Sequence, residues 1–395
     1  MTIKRVLLVK YGEIALRKGN RTFFEYSLMN IIKERLKIFY SRVIHVKREQ
    51  GRFLLEDPIG DIDYDGVIPH IKSIFGIIGF CHAAMTTSRD ITDLSIIAHR
   101  FLLDMNLNAD TFRVETKRSD KSYPLTSNDV SALIGGYIYN SAIGLKVDLH
   151  NPDITLKVEI RNNIYFYVDA EKGEGGLPYS SSGKAMLMLS GGFDSPVAGY
   201  LAARRGVEII PVYFHSPPFV SERALDKVID IVKVLSRFTG KIKLYEVGFT
   251  DIQLYLKDNV PLEKLTILMK RTMLKLASSI GNKEKVHGII TGDAIGQVSS
   301  QTLQSIAAIS TATDLPILRP LATMDKQDIV DTATRIGTME ISIRPYDDCC
   351  TLFIAKHPVT KPNKNVIERL ESRIFADLEP LVQIAIDKCK IHYFP

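Results

Sequence analysis

Hydrophobic positions change their rhythm along the chain, and each change marks a different kind of element. The opening apolar run up to residue 10 reads as a strand that ends at Tyr11. Residues 22–40 then place Phe23, Phe24, Leu28, Ile31, Ile32, Leu36 and Ile38 at a spacing of about 3.6, which predicts a helix. Two short runs, 41–47 and 52–55, flank Gly51 and read as a hairpin. This first stretch, 1–65, fits a small α+β unit of ferredoxin-like type. Residues 66–172 form a second α+β unit, with helical patterns at 67–75, 91–105 and 128–142. Its strand patterns fall at 79–85, 111–116, 146–148, 155–160 and 163–169. Residues 171–184 hold five glycines or prolines and three serines, a linker composition that places a domain boundary there.

From residue 185 the rhythm becomes strand–helix–strand, the signature of a parallel α/β sheet, and 173–395 reads as one further domain. Strands are expected at 185–189, 208–214, 241–248, 288–292 and 316–321. Helices are expected at 196–204, 222–238, 251–256, 261–280 and 326–336. Ligands of open α/β sheets lie beyond the carboxyl ends of the strands. That rule gathers 190–195, 213–215, 292–301 and the segment after Leu321 around one site.

Composition narrows the classes. A hydrophobic fraction of 45% and a charged fraction of 24% are those of a soluble globular protein. No run of about 18 apolar residues is present, so no membrane span is expected. The basic residues near the N-terminus flank too few apolar ones for a signal peptide, and the expected location is the cytoplasm. A net charge of +6 permits a polyanionic partner. The four cysteines, Cys81, Cys349, Cys350 and Cys389, contain no Cys-x-x-Cys pair, which argues against a zinc ribbon or an iron–sulfur cluster.

The candidate chemistry centres on Ser190-Gly191-Gly192-Phe193-Asp194-Ser195, between an apolar strand and a helix with Pro196 near its first turn. Glycines let backbone approach phosphate oxygens, helix N–H groups point at the anion, and the two serines add hydroxyl donors. Asp194 would repel bare phosphate, so a carboxylate here makes sense as a Mg2+ ligand. No Gly-Lys-Ser/Thr follows, which excludes the Walker motif. The stretch resembles the SGGxDS motif of PP-loop ATP pyrophosphatases, enzymes that cleave ATP to AMP and pyrophosphate.

A second basic stretch, FRVETKRSDKSYP at 112–124, places Lys117, Arg118 and Lys121 in a strand and loop with hydroxyls and one Tyr. Such a loop is commonly just solvated, but these residue types also suit phosphate contact and base stacking. Together with YGEIALRKGNR at 11–21, LSGGFDSPVAGYLAARRG at 189–206, FHSPP at 214–218, GQVSSQTL at 296–303 and ISIRPYDDCCT at 341–351, it makes the whole chain resemble the tRNA 4-thiouridine synthetases (tRNA uracil 4-sulfurtransferases). The resemblance implies a ferredoxin-like domain, an RNA-binding THUMP domain and a PP-loop catalytic domain, in that order. It implies ATP and Mg2+ as cofactors, tRNA as substrate, and a cysteine desulfurase as persulfide donor. The uridine at position eight would be adenylated on O4, and persulfide sulfur would replace AMP. By matching positions, Met188, Leu189, Ser190, Gly191, Gly192, Asp194, Ser195, Tyr213, Phe214, Lys270, Gly292 and Gln301 would form the ATP site.

For sulfur transfer, the resemblance points to Cys349, with Cys350 remaining open. Their neighbours Asp347 and Asp348 would raise a thiol pKa, so reactivity is argued from the chemistry of sulfur transfer alone. Many members of the family carry a C-terminal rhodanese domain; this chain stops at Pro395, and sulfur is then expected to pass directly to Cys349 or Cys350, with another cysteine resolving the intermediate. Compact modules joined by a Gly/Ser linker also allow a homodimer. Two rival readings remain: a different PP-loop adenylating enzyme, such as an amide-forming synthetase or another tRNA thiolase, and a non-catalytic tRNA-binding module.

Overall fold

The computed structural model describes residues 3–105, 108–141, 144–168, 171–346, 353, 355 and 358–395. The chain divides into two compact units, Met1–Pro178 and Tyr179–Pro395.

In the first unit the strands are β1 (Ile3–Tyr11), β2 (His45–Glu49), β3 (Arg52–Glu56), β4 (Ile77–Thr86), β5 (Thr111–Arg118), β6 (Lys146–Val147), β7 (Ile154–Ile160), β8 (Ile164–Tyr167) and β9 (Glu171–Lys172). The helices are α1 (Arg21–Phe39), α2 (Tyr64–Ile71), α3 (Ile91–Met105) and α4 (Ser127–Asn140). The strands make one sheet in the order β2-β3-β1-β4-β8-β7-β5-β6, with β9 on β4. Helix α1 forms because Phe24, Leu28, Ile32 and Leu36 recur every fourth residue and bury together against Leu7 and Val9. Helices α3 and α4 cover the other half of the sheet through Leu94, Ile97, Phe101, Val130, Ile134 and Ile138. Thr126 caps α4 in a capping box with Asp129.

The division expected at residue 65 falls inside this continuous sheet. Strand β4 pairs with β1 on one side and, through Ala83 opposite Tyr167, with β8 on the other. A cluster of Val6, Leu8, Leu54, Cys81, Ala83, Tyr165 and Tyr167 straddles that seam. Beside it the buried Arg52 guanidinium pairs with Glu49 at 2.9 Å and with the buried Glu159 carboxylate.

The second unit begins with β10 (Lys184–Met188), α5 (Asp194–Arg204), β11 (Glu208–His215), α6 (Glu222–Thr239), β12 (Ile242–Gly248), α7 (Thr250–Asn259) and α8 (Leu262–Lys283). It continues through β13 (Ile289–Ile290), α9 (Leu303–Ser310), β14 (Ile317–Leu318), α10 (Lys326–Ile336), α11 (Met339–Ser342), α12 (Lys364–Asp387) and β15 (Lys390–Phe394). Strand order is β14-β13-β10-β11-β12-β15, parallel except for β15, which runs antiparallel on β12. Helices α5, α6, α10 and α11 contact one another, and α7, α8, α9 and α12 form a second contacting group.

The expected strands at 288–292 and 316–321 shorten to two residues each, because the chain leaves the ladder early to line the cavity described below. Two closing elements, α12 and β15, have no counterpart in the sequence reading. Helix α12 is held to α8 by the buried Arg271, whose guanidinium meets Glu371 at 2.7 and 3.2 Å. Among the described residues no helix is long and apolar enough to cross a membrane.

Candidate active site

The carboxyl ends of β10, β11 and β13 open onto a cavity of about 270 Å3. Of the expected nucleotide residues, Met188, Leu189, Ser190, Asp194, Ser195, Tyr213, Phe214, Lys270, Gly292 and Gln301 all line it. Gly191 and Gly192 complete the turn between Ser190 and Asp194.

The turn is braced from within. The Ser190 N–H donates to Ser195 Oγ at 2.9 Å, and the two hydroxyls lie 3.0 Å apart. Ser195, nearly buried, ties the strand end to the first turn of α5. First-turn N–H groups have no acceptor within a helix, so this terminus presents donors and a positive dipole end. Gly292 comes so close that an added Cβ would lie 2.7 Å from Ser195 N and 2.9 Å from its Cα. Only glycine lets the loop after β13 rest on the start of α5.

Asp194 stands at that helix start with Oδ1 buried and without a hydrogen-bond partner among the described residues. Burial pushes its carboxyl up, the Lys326 ammonium pulls it down, the Asp293 carboxylate pushes it up again, and the net shift is upward. An unpartnered buried carboxylate oxygen is costly by itself and suits a bound cation.

Asp293 behaves in the opposite way. Burial raises its carboxyl, but Lys270 at 3.2 Å, Thr291 at 2.8 Å and Arg319 at 3.5 Å outweigh that and hold it below the usual carboxylate range. One carboxylate thus orients two cations that both line the cavity. Lys270, which helical position alone would have left on the surface, is brought here by α8. Gln301 adds a buried Oε1 without a partner among the described residues. Met273, Leu274 and Ile309 supply an apolar wall.

Sequence reasoning missed Asp293, Arg319 and Lys326. Asp293 directly follows Gly292, and Arg319 and Lys326 follow β14, so their signal was position after a strand end.

The expected sulfur carriers Cys349 and Cys350 lie outside the described residues. Cys81 is buried in β4 and Cys389 is partly buried in the connection between α12 and β15; burial pushes both thiols up. In the first unit Lys117 and Lys121 are exposed. Arg118 is not free to reach outward: its guanidinium donates to the carbonyls of Tyr123 at 2.8 Å and Leu125 at 2.6 Å. The expected stacking Tyr123 is only 2% exposed, with its hydroxyl on the Arg89 carbonyl at 3.0 Å. These two side chains build the loop, and the lysines remain as its outward cations.

Three family models match the chain: the ThiI ferredoxin-like domain over 6–81, the THUMP domain over 88–169, and the thiamine biosynthesis protein (ThiI) over 180–375. A probable tRNA sulfurtransferase of Lachnoclostridium phytofermentans is 44% identical over 386 residues, covering 97% of each chain. The chain belongs to the tRNA sulfurtransferase family. A relative from Thermoanaerobacter sp. bearing the same description is 45% identical over 93% of this chain and 95% of its own. The crystal structure of a 4-thiouridine synthetase–RNA complex with bound ATP superposes with a TM-score of 0.90 at 38% identity, covering 99% of this chain and all of that one. PH1313 from Pyrococcus horikoshii, at 22% identity and a TM-score of 0.64, shares the fold. Family membership displaces the rival readings of an amide-forming synthetase and of a bare tRNA-binding module.

Proposed function

We propose that this enzyme uses ATP to convert the uridine at position eight of tRNA into 4-thiouridine. The observation that carries the reading is the strand–turn–helix of Ser190–Ser195, with an Asp194 oxygen unpartnered among the described residues, facing a cavity that also holds Lys270 and Arg319. The adenine enters against Met273, Leu274 and Ile309, beside Tyr213 and Phe214, with the Gln301 carbonyl oxygen free to accept from an amino group. The phosphates meet the α5 N-terminus and the hydroxyls of Ser190 and Ser195. Lys270, Arg319 and Lys326 offset the charge that develops as pyrophosphate leaves.

Asp194 is the residue that would hold Mg2+, which when bound supplies charge neutralisation on the phosphates. Uridine O4 attacks the α-phosphorus and pyrophosphate departs, leaving O4 adenylated. The terminal sulfur of a persulfide on Cys349 or Cys350 then bonds to C4 as the C4–O4 bond breaks and AMP leaves. A second thiol cleaves the S–S bond, leaving 4-thiouridine and a protein disulfide. A cysteine desulfurase is the proposed sulfur donor, the cytoplasm the proposed location, and a homodimer the proposed assembly. Lys117 and Lys121 are proposed to contact the tRNA backbone.

The test is mass spectrometry of nucleosides from tRNA incubated with the protein, ATP, Mg2+, cysteine and a cysteine desulfurase. 4-Thiouridine is expected with the native chain and not with Asp194→Ala. Release of AMP and pyrophosphate without any thionucleoside would overturn the acceptor; neither product would overturn the reaction.

A further inference from the structure

Helix α6 lies on the side of the sheet that α5 also covers, and its buried face carries charge. Lys227 of α6 is only 4% exposed, an unusual place for an ammonium. Its Nζ donates to the carbonyl of Tyr346 at 2.6 Å and approaches that of Arg344 at 3.4 Å. One turn earlier, the Arg223 guanidinium sits over the Tyr346 ring, 6.0 Å from its centroid. One turn later, Asp230 takes the Arg344 guanidinium at 2.7 Å. Residues 223, 227 and 230 follow the spacing that lines up one face of a helix. A single stripe of α6 therefore grips residues 344–346 by backbone, ring and charge at once.

Those three residues immediately precede Asp347-Asp348-Cys349-Cys350 in the sequence. On the far side of the cysteines the chain is held again: the Phe353 ring packs edge-on against Phe219 at 5.6 Å, and Lys257 lies 4.5 Å over its face. A methionine-sized apolar side chain would fill the space of Lys227 without burying charge. What the ammonium adds is direction, because it fixes two carbonyls of a tight turn in which the Tyr346 N–H also donates to the Arg344 carbonyl at 2.8 Å.

We infer that the 223–227–230 stripe of α6 is the mount of the cysteine-bearing segment, and that Lys227 is a positioning residue for the sulfur-transfer half of the reaction. The inference rests on the proposed role of Cys349 or Cys350 as sulfur carrier. Lys227 lies outside the residues that line the nucleotide cavity, so its replacement is expected to spare adenylation.

The experiment uses the full chain with tRNA, ATP, Mg2+, cysteine and a cysteine desulfurase, and follows tRNA-stimulated pyrophosphate release and single-turnover 4-thiouridine formation separately. Lys227→Met is expected to keep pyrophosphate release within about twofold while thiolation falls roughly tenfold or more. Lys227→Arg, which restores a buried donor, is expected to recover part of the loss. Arg344→Met removes a solvent-facing anchor without touching the core; it should show the same split at roughly threefold, and it decides the matter if Lys227→Met does not fold. Equal losses in both half-reactions, or unchanged thiolation in both variants, would overturn the mount. A Cys349→Ser/Cys350→Ser protein run alongside separates the two levels: full thiolation there removes the cysteine reading itself, whatever the α6 variants do.

Discussion

Gly292→Ala is the sharpest steric test of how the cavity is assembled. A Cβ there would lie 2.7 Å from Ser195 N, 2.9 Å from Ser195 Cα and 3.0 Å from the Asp194 carbonyl carbon, all backbone atoms that cannot rotate away. Reaching an ordinary contact of 3.4 Å requires the loop after β13 and the start of α5 to separate by about 0.7 Å. Overpacking of this kind costs about 1–3 kcal/mol. At about 2–4 °C per kcal/mol for a unit of this size, melting should fall by roughly 2–12 °C. The same displacement moves the N–H groups and Asp194 relative to Lys270 and Arg319. A misplacement near 1 Å can cost about a hundredfold in rate, so ATP-dependent pyrophosphate release should drop by roughly 10- to 100-fold in kcat/KM. The control is Gly248→Ala, where an added Cβ meets nothing within 4 Å among the described residues; it should stay within about 0.5 kcal/mol of the native chain. Differential scanning calorimetry and a coupled pyrophosphate assay read both quantities. A Gly292→Ala protein that melts and turns over like the control would refute the close approach as the reason for glycine.

Asp194→Asn should abolish thiolation yet raise the melting temperature of the ligand-free protein by about 2–4 °C, since an unsatisfied carboxylate costs about 1–3 kcal/mol and the helix dipole returns only part. Because the folded carboxyl is raised, the native chain has its full relative stability below the unfolded pKa and loses it as pH rises through the folded one; the gain from Asn should therefore be largest near neutral pH and shrink toward acid. A gain that is flat with pH would contradict this. Asp293→Asn should raise KM for ATP by releasing Lys270 and Arg319, measured by steady-state kinetics, and an unchanged KM would count against its orienting role. Arg271→Ala should cost about 3 kcal/mol in urea unfolding, because the buried Glu371 is left with Lys275 at 3.1 Å in place of a bidentate guanidinium, whereas Arg271→Met with Glu371→Leu, which removes both buried charges, should cost less. Lys117→Gln with Lys121→Gln should weaken tRNA binding and lower its logarithmic salt slope by about 1–2, while Arg118→Ala should chiefly lower the melting temperature.

Much of the site was legible because it is local. Ser190–Ser195 carries its own strand, turn and helix signals, and Met188, Tyr213 and Gly292 each sit where a strand pattern stops. Asp293, Arg319 and Lys326 were harder, since their meaning arises only when three strand ends meet. The fold followed the same division. Helix α1 announces itself through Phe24, Leu28, Ile32 and Leu36, whereas β13 and β14 shrink to two residues because cavity lining competes with pairing. Helix α12 carries Pro380, and its buried face of Ile367, Ile374, Leu378 and Val382 packs into a core built from residues distant in sequence. Arg118 and Tyr123 show where composition stops: it cannot separate a cation or a ring that builds a loop from one that the loop displays.

The seam through the N-terminal sheet bears on how these modules can be transplanted. Cutting after residue 65 would strip β1 of β4, bare a row of backbone groups along its edge, and leave Arg52 without Glu159. A fragment beginning at 66 would leave the buried Glu159 to Arg161 without Arg52, and would expose Tyr165 and Tyr167. The smallest portable cassette is therefore 1–178, and grafting it onto another catalytic body should move both halves at a constant angle, as one inherited part.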